Sequence, residues 1–222
     1  MTADEAKREA ALKALALVQP GMTLGLGTGS TAAHFVRGLG ERMKEGLQIA
    51  GAVATSEATA ALARAAGVPL LEPGADTRFD LAVDGADEID PALTLIKGGG
   101  GALLREKIVA AAAARFVVIA DAGKRVPRLG RFPLPVEVTP FAWALTARKV
   151  AEALRAAGCG RDILSLRQKD GAAFITDGGN YILDCQASEI PNPQALAALL
   201  DATPGVVEHG LFIGLAHEAI VV

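Results

Sequence analysis

The chain has 222 residues, and 51% of them are hydrophobic, which is enough to bury one substantial core and a smaller second one. Its 22 lysines and arginines nearly balance its 25 aspartates and glutamates, so no basic surface is expected to hold nucleic acid, although a small anion needs only local donors. Cys159 and Cys185 show no CxxC or zinc-ligand spacing. No apolar run approaches the roughly 20 residues of a membrane span, and the charged first residues do not resemble a secretion signal. We therefore expect a cytoplasmic protein without a membrane partner.

The first part of the chain alternates predicted strands with predicted helices, which indicates a doubly wound α/β domain built on a parallel sheet. The predicted order is a helix over 4–18, a strand over 22–26, a helix over 32–39, a strand over 48–55, a helix over 57–66, a short apolar segment over 68–71, strands over 79–83 and 93–96, a helix over 102–114 and a strand over 116–120.

Closely spaced prolines after Lys124 indicate a crossing into a second, smaller α+β domain. Its predicted elements are a strand over 134–138, a helix over 143–157, strands over 163–166, 174–177 and 181–185 with a hairpin turn over 177–180, and a helix over 193–202. Apolar runs over 211–215 and 219–222 are candidates to rejoin the first sheet. We expect one domain over 1–128 with 206–222, and another over 129–205.

Ligands of open parallel sheets bind at the carboxyl ends of the strands, so the residues that follow each predicted strand are candidate site residues. These residues form four polar, glycine-rich segments: 27–31 (GTGST), 84–88 (DGADE), 97–101 (KGGGG) and 121–124 (DAGK).

The first segment joins a strand to a helix and is suited to binding a phosphate. Gly27 and Gly29 allow close backbone approach, and Ser30 and Thr31 add hydroxyls at a helix N-terminus. A tight turn with Ser30 or Thr31 as N-cap is equally consistent with the pattern. A dinucleotide fingerprint does not fit, because the sixth position of the motif is a serine and no acidic residue ends the next strand, and a P-loop lacks its Gly-Lys-Ser/Thr.

The second segment places Asp84, Asp87 and Glu88 at one strand end. Crowded carboxylates keep a proton near neutral pH and suit acid–base work on hydroxyl groups. A calcium loop would need oxygen ligands at alternate positions and a central glycine, which are absent. For any one of these residues, a solvated acidic turn is the ordinary interpretation.

Lys97 precedes four glycines, an arrangement that favours backbone approach to a ligand and a lysine that stabilises negative charge. Glu106, between Arg105 and Lys107, resembles an ordinary solvated helix residue. Lys124 ends a strand loop and is a somewhat better candidate. The three histidines are isolated in sequence, so we assign them surface or packing roles: His34, His209 and His217.

Four of these motifs, in order and at the expected spacing, closely resemble ribose-5-phosphate isomerase type A. They are GLGTGSTAAHF (25–35), VDGADEID (83–90), IKGGGGALLREKI (96–108) and IADAGK (119–124). The resemblance continues through RFPLPVEV (131–138) and PGVVEHGLF (204–212), and so covers essentially the whole chain. Leu104 departs from the family's frequent threonine, and its place in a helix suggests packing.

The resemblance implies an isomerase that interconverts D-ribose 5-phosphate and D-ribulose 5-phosphate through a cis-enediolate, without metal or nucleotide cofactor. Glu106 matches the general base, and Asp84, Asp87 and Lys97 match residues that assist ring opening, move protons and stabilise the enediolate. The remaining positions match substrate-binding residues: Thr28, Gly29, Ser30, Thr31, Gly85, Ala86, Gly98, Gly99, Gly100 and Lys124. The implied fold is a Rossmann-like domain with a smaller ferredoxin-like domain that contributes to oligomerisation, in a homodimer or a dimer of dimers.

Other functions on a related sheet are an amino-sugar phosphate deaminase, a CoA transferase or a sugar-phosphate-sensing regulator. The deaminase is expected to place a histidine near these loops, and none is there. The regulator needs a basic DNA-binding module, which the sequence does not show.

Overall fold

The computed structural model describes residues 2–222. Six α-helices lie in this part of the chain: α1 (Ala3–Leu15), α2 (Ser30–Lys44), α3 (Glu57–Ala65), α4 (Leu103–Ala112), α5 (Trp143–Ala156) and α6 (Pro193–Asp201). Side-chain caps fix where three of them begin, because Thr2 forms a capping box with Glu5 at α1, and Ser56 and Asn192 accept backbone N–H groups at α3 and α6. Within residues 2–222, none of the helices has both the length and the apolarity that crossing a bilayer requires.

The strands are short and fall into four sheets. They are β1 (Thr23–Leu26), β2 (Gly51–Ala54), β3 (Leu81–Asp84), β4 (Glu88–Ile89), β5 (Leu95–Ile96), β6 (Phe116–Ala120), β7 (Leu134–Val138), β8 (Ile163–Leu166), β9 (Gln168–Lys169), β10 (Ala172–Ala173), β11 (Tyr181–Gln186), β12 (Val206–His209), β13 (Leu211–Phe212) and β14 (Glu218–Val221).

The chain divides into two compact units. Unit 1 comprises Met1–Ala86, Arg105–Lys124 and Gly214–Val222, and unit 2 comprises Asp87–Leu104 and Arg125–Ile213. The units assign residues 87–104, 125–128 and 206–213 differently from the domain boundaries expected from the sequence. The reason lies in strand pairing, because β5 pairs with β13 and β12 pairs with β7, all within unit 2.

Unit 1 is built on a five-stranded sheet in the order β14-β6-β3-β1-β2, and every pairing in it is parallel. On one face, the apolar side chains of α1 and α2 pack against β1, β3 and β6 in a core that includes Phe35, Leu39 and Leu24. Val109 of α4 lies with Gly25 and Ala82 of the sheet around a small cavity on the opposite side. Helices thus cover both faces, which confirms the predicted α/β class.

Unit 2 contains a four-stranded antiparallel sheet in the order β12-β7-β11-β8. Its apolar face packs on α5 and α6 through side chains such as Val136, Leu154 and Leu196. The order of these elements along the chain is β-α-β-β-α-β, the ferredoxin-like arrangement, which agrees with the α+β prediction. A separate three-stranded sheet, β13-β5-β4, completes the unit with the β9-β10 hairpin.

The prediction that residues 93–96 form a strand of the parallel sheet is wrong. Its ordered part, Leu95–Ile96, pairs antiparallel with β4 and β13 instead. Only a short turn separates β4 from β5, closed by N–H groups of Ala92 and Thr94 that donate to Asp90 at 2.8 Å. A turn this short permits an antiparallel hairpin, whereas a parallel connection needs about a dozen residues or more.

Two further strand predictions need correction. Residues 174–177 are not a strand. The turn at Asp170 and Gly171 pairs Ala172–Ala173 with Gln168–Lys169, and pairing ends after the N–H of Phe174 donates to the carbonyl oxygen of Arg167 at 2.9 Å. The predicted turn over 177–180 is present. The 211–215 run does not rejoin the first sheet, since β13 pairs with β5, whereas the last apolar run does so as β14 beside β6.

Candidate active site

The loop that follows β1 in unit 1 lies directly against the carboxylate that ends β3. Asp84 is only 4% exposed, and its Oδ1 accepts the N–H of Thr28 at 3.0 Å and that of Gly85 at 2.7 Å. A Cβ at position 27 would lie 2.1 Å from Cγ of Asp84, so only glycine fits there. β1 and β3 are parallel neighbours, which brings the two loops to the same edge of the sheet.

A cluster of hydroxyl groups, which the sequence reasoning did not identify, surrounds Thr28. Its Oγ1 lies 2.8 Å from that of Thr55, 2.9 Å from Oγ of Ser56 and 3.2 Å from Oγ1 of Thr59. Thr59 also donates to the carbonyl oxygen of Gly27 at 3.0 Å. The missed signal was the TSEAT segment after β2, since β2 is the other parallel neighbour of β1.

The helix that follows this loop has no side-chain cap. Gly29 is the N-cap residue of α2, with φ of 107°, so the alternative in which Ser30 or Thr31 caps the helix is wrong. Gly29 and Ser30 are exposed and Thr31 is buried. The N–H groups of the first turn and the partial positive charge at this helix end suit an anion.

Glu106 differs most from its ordinary interpretation as a solvated helix residue. It lies in the first turn of α4 and is 4% exposed. It lines the small cavity of unit 1 together with Gly27, Thr55 and Asp84. Lys124 is also in unit 1. It is half-buried at the end of a short 3-10 helix, Ala122–Lys124.

In unit 2, Lys97 directly follows β5 and is 2% exposed. Its N–H donates to the carbonyl oxygen of Gly210 at 2.9 Å, and its Nζ lies 5.4 Å from the centroid of the Phe212 ring. A cation at this distance from an aromatic face is stabilised by the ring quadrupole. Gly210, just before β13, therefore positions the backbone of Lys97, and Phe212 of β13 positions its ammonium group.

The acidic residues of the second segment have distinct environments. Asp87, in unit 2, is half-buried, and its Oδ2 accepts the N–H of Gly99 at 2.8 Å. Glu88 is 2% exposed and accepts the N–H groups of Gly130 and Phe132 at 2.7 and 2.6 Å. Both carboxylate oxygens of Glu88 thus hold a loop of unit 2, which makes this residue structural rather than part of an acid–base group.

The other predicted binding positions are backbone positions. Gly85 and Ala86 are half-buried at the end of the unit 1 segment. Gly98 is buried and Gly99 and Gly100 are exposed in the loop after Lys97.

His209 makes side-chain contacts that its isolated position in the sequence did not indicate. His209 is 4% exposed, its Nδ1 accepts the N–H of Leu211 at 3.2 Å, and its Nε2 lies 3.2 Å from Asp201. Asp201, Glu208 and His209 have the donor types of a metal site. However, an Nδ1 that accepts a backbone N–H leaves the ring proton on Nε2, the atom that would have to bind the ion. We assign this cluster to packing around the β12-β13 turn.

A parallel α/β sheet with a buried aspartate at its carboxyl edge, and a buried glutamate on a helix that lines the same small cavity, is an arrangement typical of an α/β enzyme. A family described as Ribose 5-phosphate isomerase A (phosphoriboisomerase A) matches residues 51–222. The Ribose-5-phosphate isomerase A of Nitrobacter hamburgensis is 58% identical over 220 residues, which cover 99% of this chain and 94% of that protein.

Solved structures of ribose 5-phosphate isomerases also resemble this chain. A ribose 5-phosphate isomerase from Plasmodium falciparum is 35% identical with a TM-score of 0.93, covering 98% of this chain and 94% of that one. A D-ribose-5-phosphate isomerase in complex with phospho-erythronic acid is 37% identical with a TM-score of 0.90, covering 100% and 96%. The chain belongs to the ribose 5-phosphate isomerase A family and is an isomerase.

Proposed function

We propose that this protein interconverts D-ribose 5-phosphate and D-ribulose 5-phosphate through a cis-enediolate, with Glu106 as the base. The burial of Glu106 beside Asp84 around one small cavity carries the proposal, because a helix glutamate without a function is normally solvated. The similarity of the whole chain to curated isomerases supports the choice of substrate. The reaction belongs to the non-oxidative pentose phosphate pathway, and its cytoplasmic location stays a prediction from the sequence.

In the proposed reaction, the carboxylate of Glu106 removes the proton on C2 of the open-chain aldose and returns it to C1. The proton on O2 must leave and O1 must gain one, so a second acid–base group is needed. Asp84 and Asp87 are assigned to this transfer and to ring opening. Lys97 is assigned to the enediolate oxygen, where a buried ammonium group stabilises the developing negative charge.

The phosphate is assigned to the N-terminus of α2. This end has no side-chain cap, and Gly29 and Ser30 are exposed at it. The hydroxyl cluster behind Thr28 holds the loop in place through Thr59 and the carbonyl oxygen of Gly27. Lys124 and the glycines after Lys97 are assigned to the rest of the substrate.

The ligand of one related isomerase is consistent with an enediolate. Phospho-erythronic acid, bound in that structure, ends in a planar carboxylate with two oxygens. An enediolate is also planar and also presents two oxygens, one of them charged. An acid of this shape is what a site complementary to the enediolate is expected to bind.

A proton NMR time course in D2O containing EDTA, with ribose 5-phosphate as substrate, tests the proposal. We expect ribulose 5-phosphate to form with deuterium entering at carbon, at the same rate with and without the chelator. Conversion without deuterium would contradict exchange through a base. Loss of activity in EDTA that a divalent ion restores would contradict a metal-free reaction, and no conversion would overturn the substrate.

We also propose that the protein is a homodimer or a dimer of dimers, with unit 2 contributing to the interface. Large apolar side chains of unit 2 are exposed, among them Phe141 at 88%, Ile175 at 61% and Leu145 at 59%. Sedimentation equilibrium is expected to give a mass of two or four chains. Phe141→Asp is expected to shift the protein toward monomer, and a wild-type protein that is monomeric at micromolar concentration would contradict this assembly.

A further inference from the structure

The peptide between Gly98 and Gly99 connects two charged side chains of unit 2. Its carbonyl oxygen accepts a hydrogen bond from Nη1 of Arg167 at 2.8 Å, and its N–H donates to Oδ2 of Asp87 at 2.8 Å. The C=O and N–H of a trans peptide point in opposite directions, so a guanidinium group that fixes the first also aims the second. A Cβ at Gly99 would lie 2.7 Å from Oδ1 of Asp87, which shows how closely this backbone approaches the carboxylate.

Arg167 is itself held rigidly. Its Nε donates to Oδ2 of Asp184 at 2.9 Å, and its Nη2 donates to the other carboxylate oxygen. The guanidinium carbon lies 5.9 Å from the centroid of the Phe174 ring, and Nη1 also reaches the carbonyl oxygen of Gly99 at 3.2 Å. The side chains of Arg167 and Asp184 are only 14% and 23% exposed. A planar fork with five donors can make these contacts together, whereas a lysine cannot.

We propose that Arg167 is a positioning residue for Asp87, acting through the Gly98–Gly99 peptide and anchored by Asp184. The hydrogen bonds run from Asp184, on β11 of the antiparallel sheet, through Arg167 and the peptide to the Asp87 carboxylate. A cation on the carbonyl side also polarises the peptide and strengthens its N–H as a donor. The inference rests on the proposed function for the role of Asp87 in proton transfer, while the hydrogen-bonded connection itself is independent of that role.

A double-mutant cycle between Arg167→Met and Asp87→Asn tests the coupling. Arg167→Met is expected to lower kcat for ribose 5-phosphate by about 10-fold to 100-fold, the size of a positioning defect, with KM changed by less than about threefold. In the Asp87→Asn background, the same substitution is expected to have little further effect on kcat. The matched control is Arg155→Met, which removes an exposed arginine paired with Asp162 in the same unit and is expected to leave kcat unchanged.

Equal losses from Arg167→Met in both backgrounds would overturn the proposal, since they would indicate a general structural role. An unchanged kcat in Arg167→Met would also overturn it. If this variant does not fold, Arg167→Lys replaces it in the cycle, because a lysine reaches one carbonyl oxygen but cannot form the fork with Asp184. Partial activity in Arg167→Lys that again depends on Asp87 would support the proposal, and additive losses would refute it.

Amide hydrogen exchange of Gly99, measured by NMR without substrate, separates this inference from the proposed function. Exchange at Gly99 is expected to be faster in Arg167→Met than in the wild type, while it stays unchanged in Arg155→Met. Unchanged exchange would refute the connection through the peptide whatever the reaction is. Two other results would contradict the proposed function and leave the hydrogen-bonded connection intact. Both include faster exchange at Gly99 in Arg167→Met. The first adds a wild-type protein that is inactive on ribose 5-phosphate, and the second adds a full kcat in Asp87→Asn.

Discussion

Unit 1 and unit 2 hold their candidate residues by different means. In unit 1, Asp84 and the loop starting at Gly27 follow adjacent parallel strands, and the backbone N–H of Thr28 reaches the Asp84 carboxylate. In unit 2, Lys97 follows a short antiparallel strand, and the loop after it is fixed by the side chain of Arg167. A parallel sheet gathers functional loops through its topology, whereas unit 2 needs specific side-chain contacts to do the same.

The largest effect is expected at Glu106, the buried carboxylate of unit 1. Glu106→Gln keeps the shape of the side chain but cannot accept a proton from carbon, so kcat is expected to fall by about 10³-fold with KM nearly unchanged. The measurement is the initial rate of ribulose 5-phosphate formation. Glu41→Gln, at an exposed pair with Lys44, is the control. Near-normal turnover in Glu106→Gln would show that Glu106 is not the base.

A smaller loss is expected from Lys97→Met, the corresponding test of unit 2. Removing a buried charge that acts on the enediolate is expected to lower kcat by about 100-fold and affinity by much less. Steady-state kinetics and direct binding of the substrate separate the two quantities. Lys149→Met removes an exposed lysine of the same unit as a control. Equal losses in kcat and in affinity would make Lys97 a binding residue only.

A moderate effect on stability and KM is expected when the hydroxyl cluster around Thr28 in unit 1 is disrupted. Thr59→Val removes the bond to the Gly27 carbonyl oxygen, so unfolding free energy is expected to fall by about 1 to 2 kcal/mol and KM to rise several-fold. Thr146→Val removes a similarly buried hydroxyl of unit 2, which bonds the Pro204 carbonyl oxygen, and is expected to change stability but not KM. An unchanged KM in Thr59→Val would show that this cluster does not support the binding loop.

The smallest effect concerns the two cysteines, both of which lie in unit 2. Burial raises the pKa of the thiols of Cys185 and Cys159. The folded chain therefore keeps protons that the unfolded chain releases above about pH 8.5, and the stability that this contributes is lost as the pH rises further.

Iodoacetamide labelling at pH 8, followed by mass spectrometry, is expected to be at least about tenfold slower at Cys185 in the folded than in the unfolded chain. Cys185→Ala is expected to weaken the loss of stability between about pH 8.5 and pH 10. Rapid labelling of the folded protein would show that the core of unit 2 opens readily.

The elements of unit 1 could be predicted closely because local pattern and tertiary structure agree there. Alternating strands and helices gave the parallel sheet, and Glu57–Ala65 matches its predicted helix to within one residue. The failures lie where short apolar runs leave the pairing undetermined. Leu95–Ile96 and Leu211–Phe212 are each two residues long, and their apolarity says nothing about which strand they join.

The candidate site likewise has residues that the local sequence predicts and one that it does not. The segments at 27–31 and 84–87 stand out because glycines and carboxylates follow strands, and their placement at strand ends follows from the sheet. Nothing in the local sequence distinguishes Glu106 from a solvated residue. Only its resemblance to a family motif singled it out, and its burial is a tertiary property.

The sequence by itself determined the fold class, the family and the segments that carry the candidate chemistry, because hydrophobic periodicity and strand-end motifs are local properties. The tertiary structure alone decided that Glu106 is buried, that hydroxyls on α3 and in the two residues between β2 and α3 support Thr28, and that Arg167 bonds the loop beside Asp87 across 68 and 69 positions of sequence. Such contacts join residues distant in the chain, and their geometry is fixed only when the strands and helices that carry them have packed.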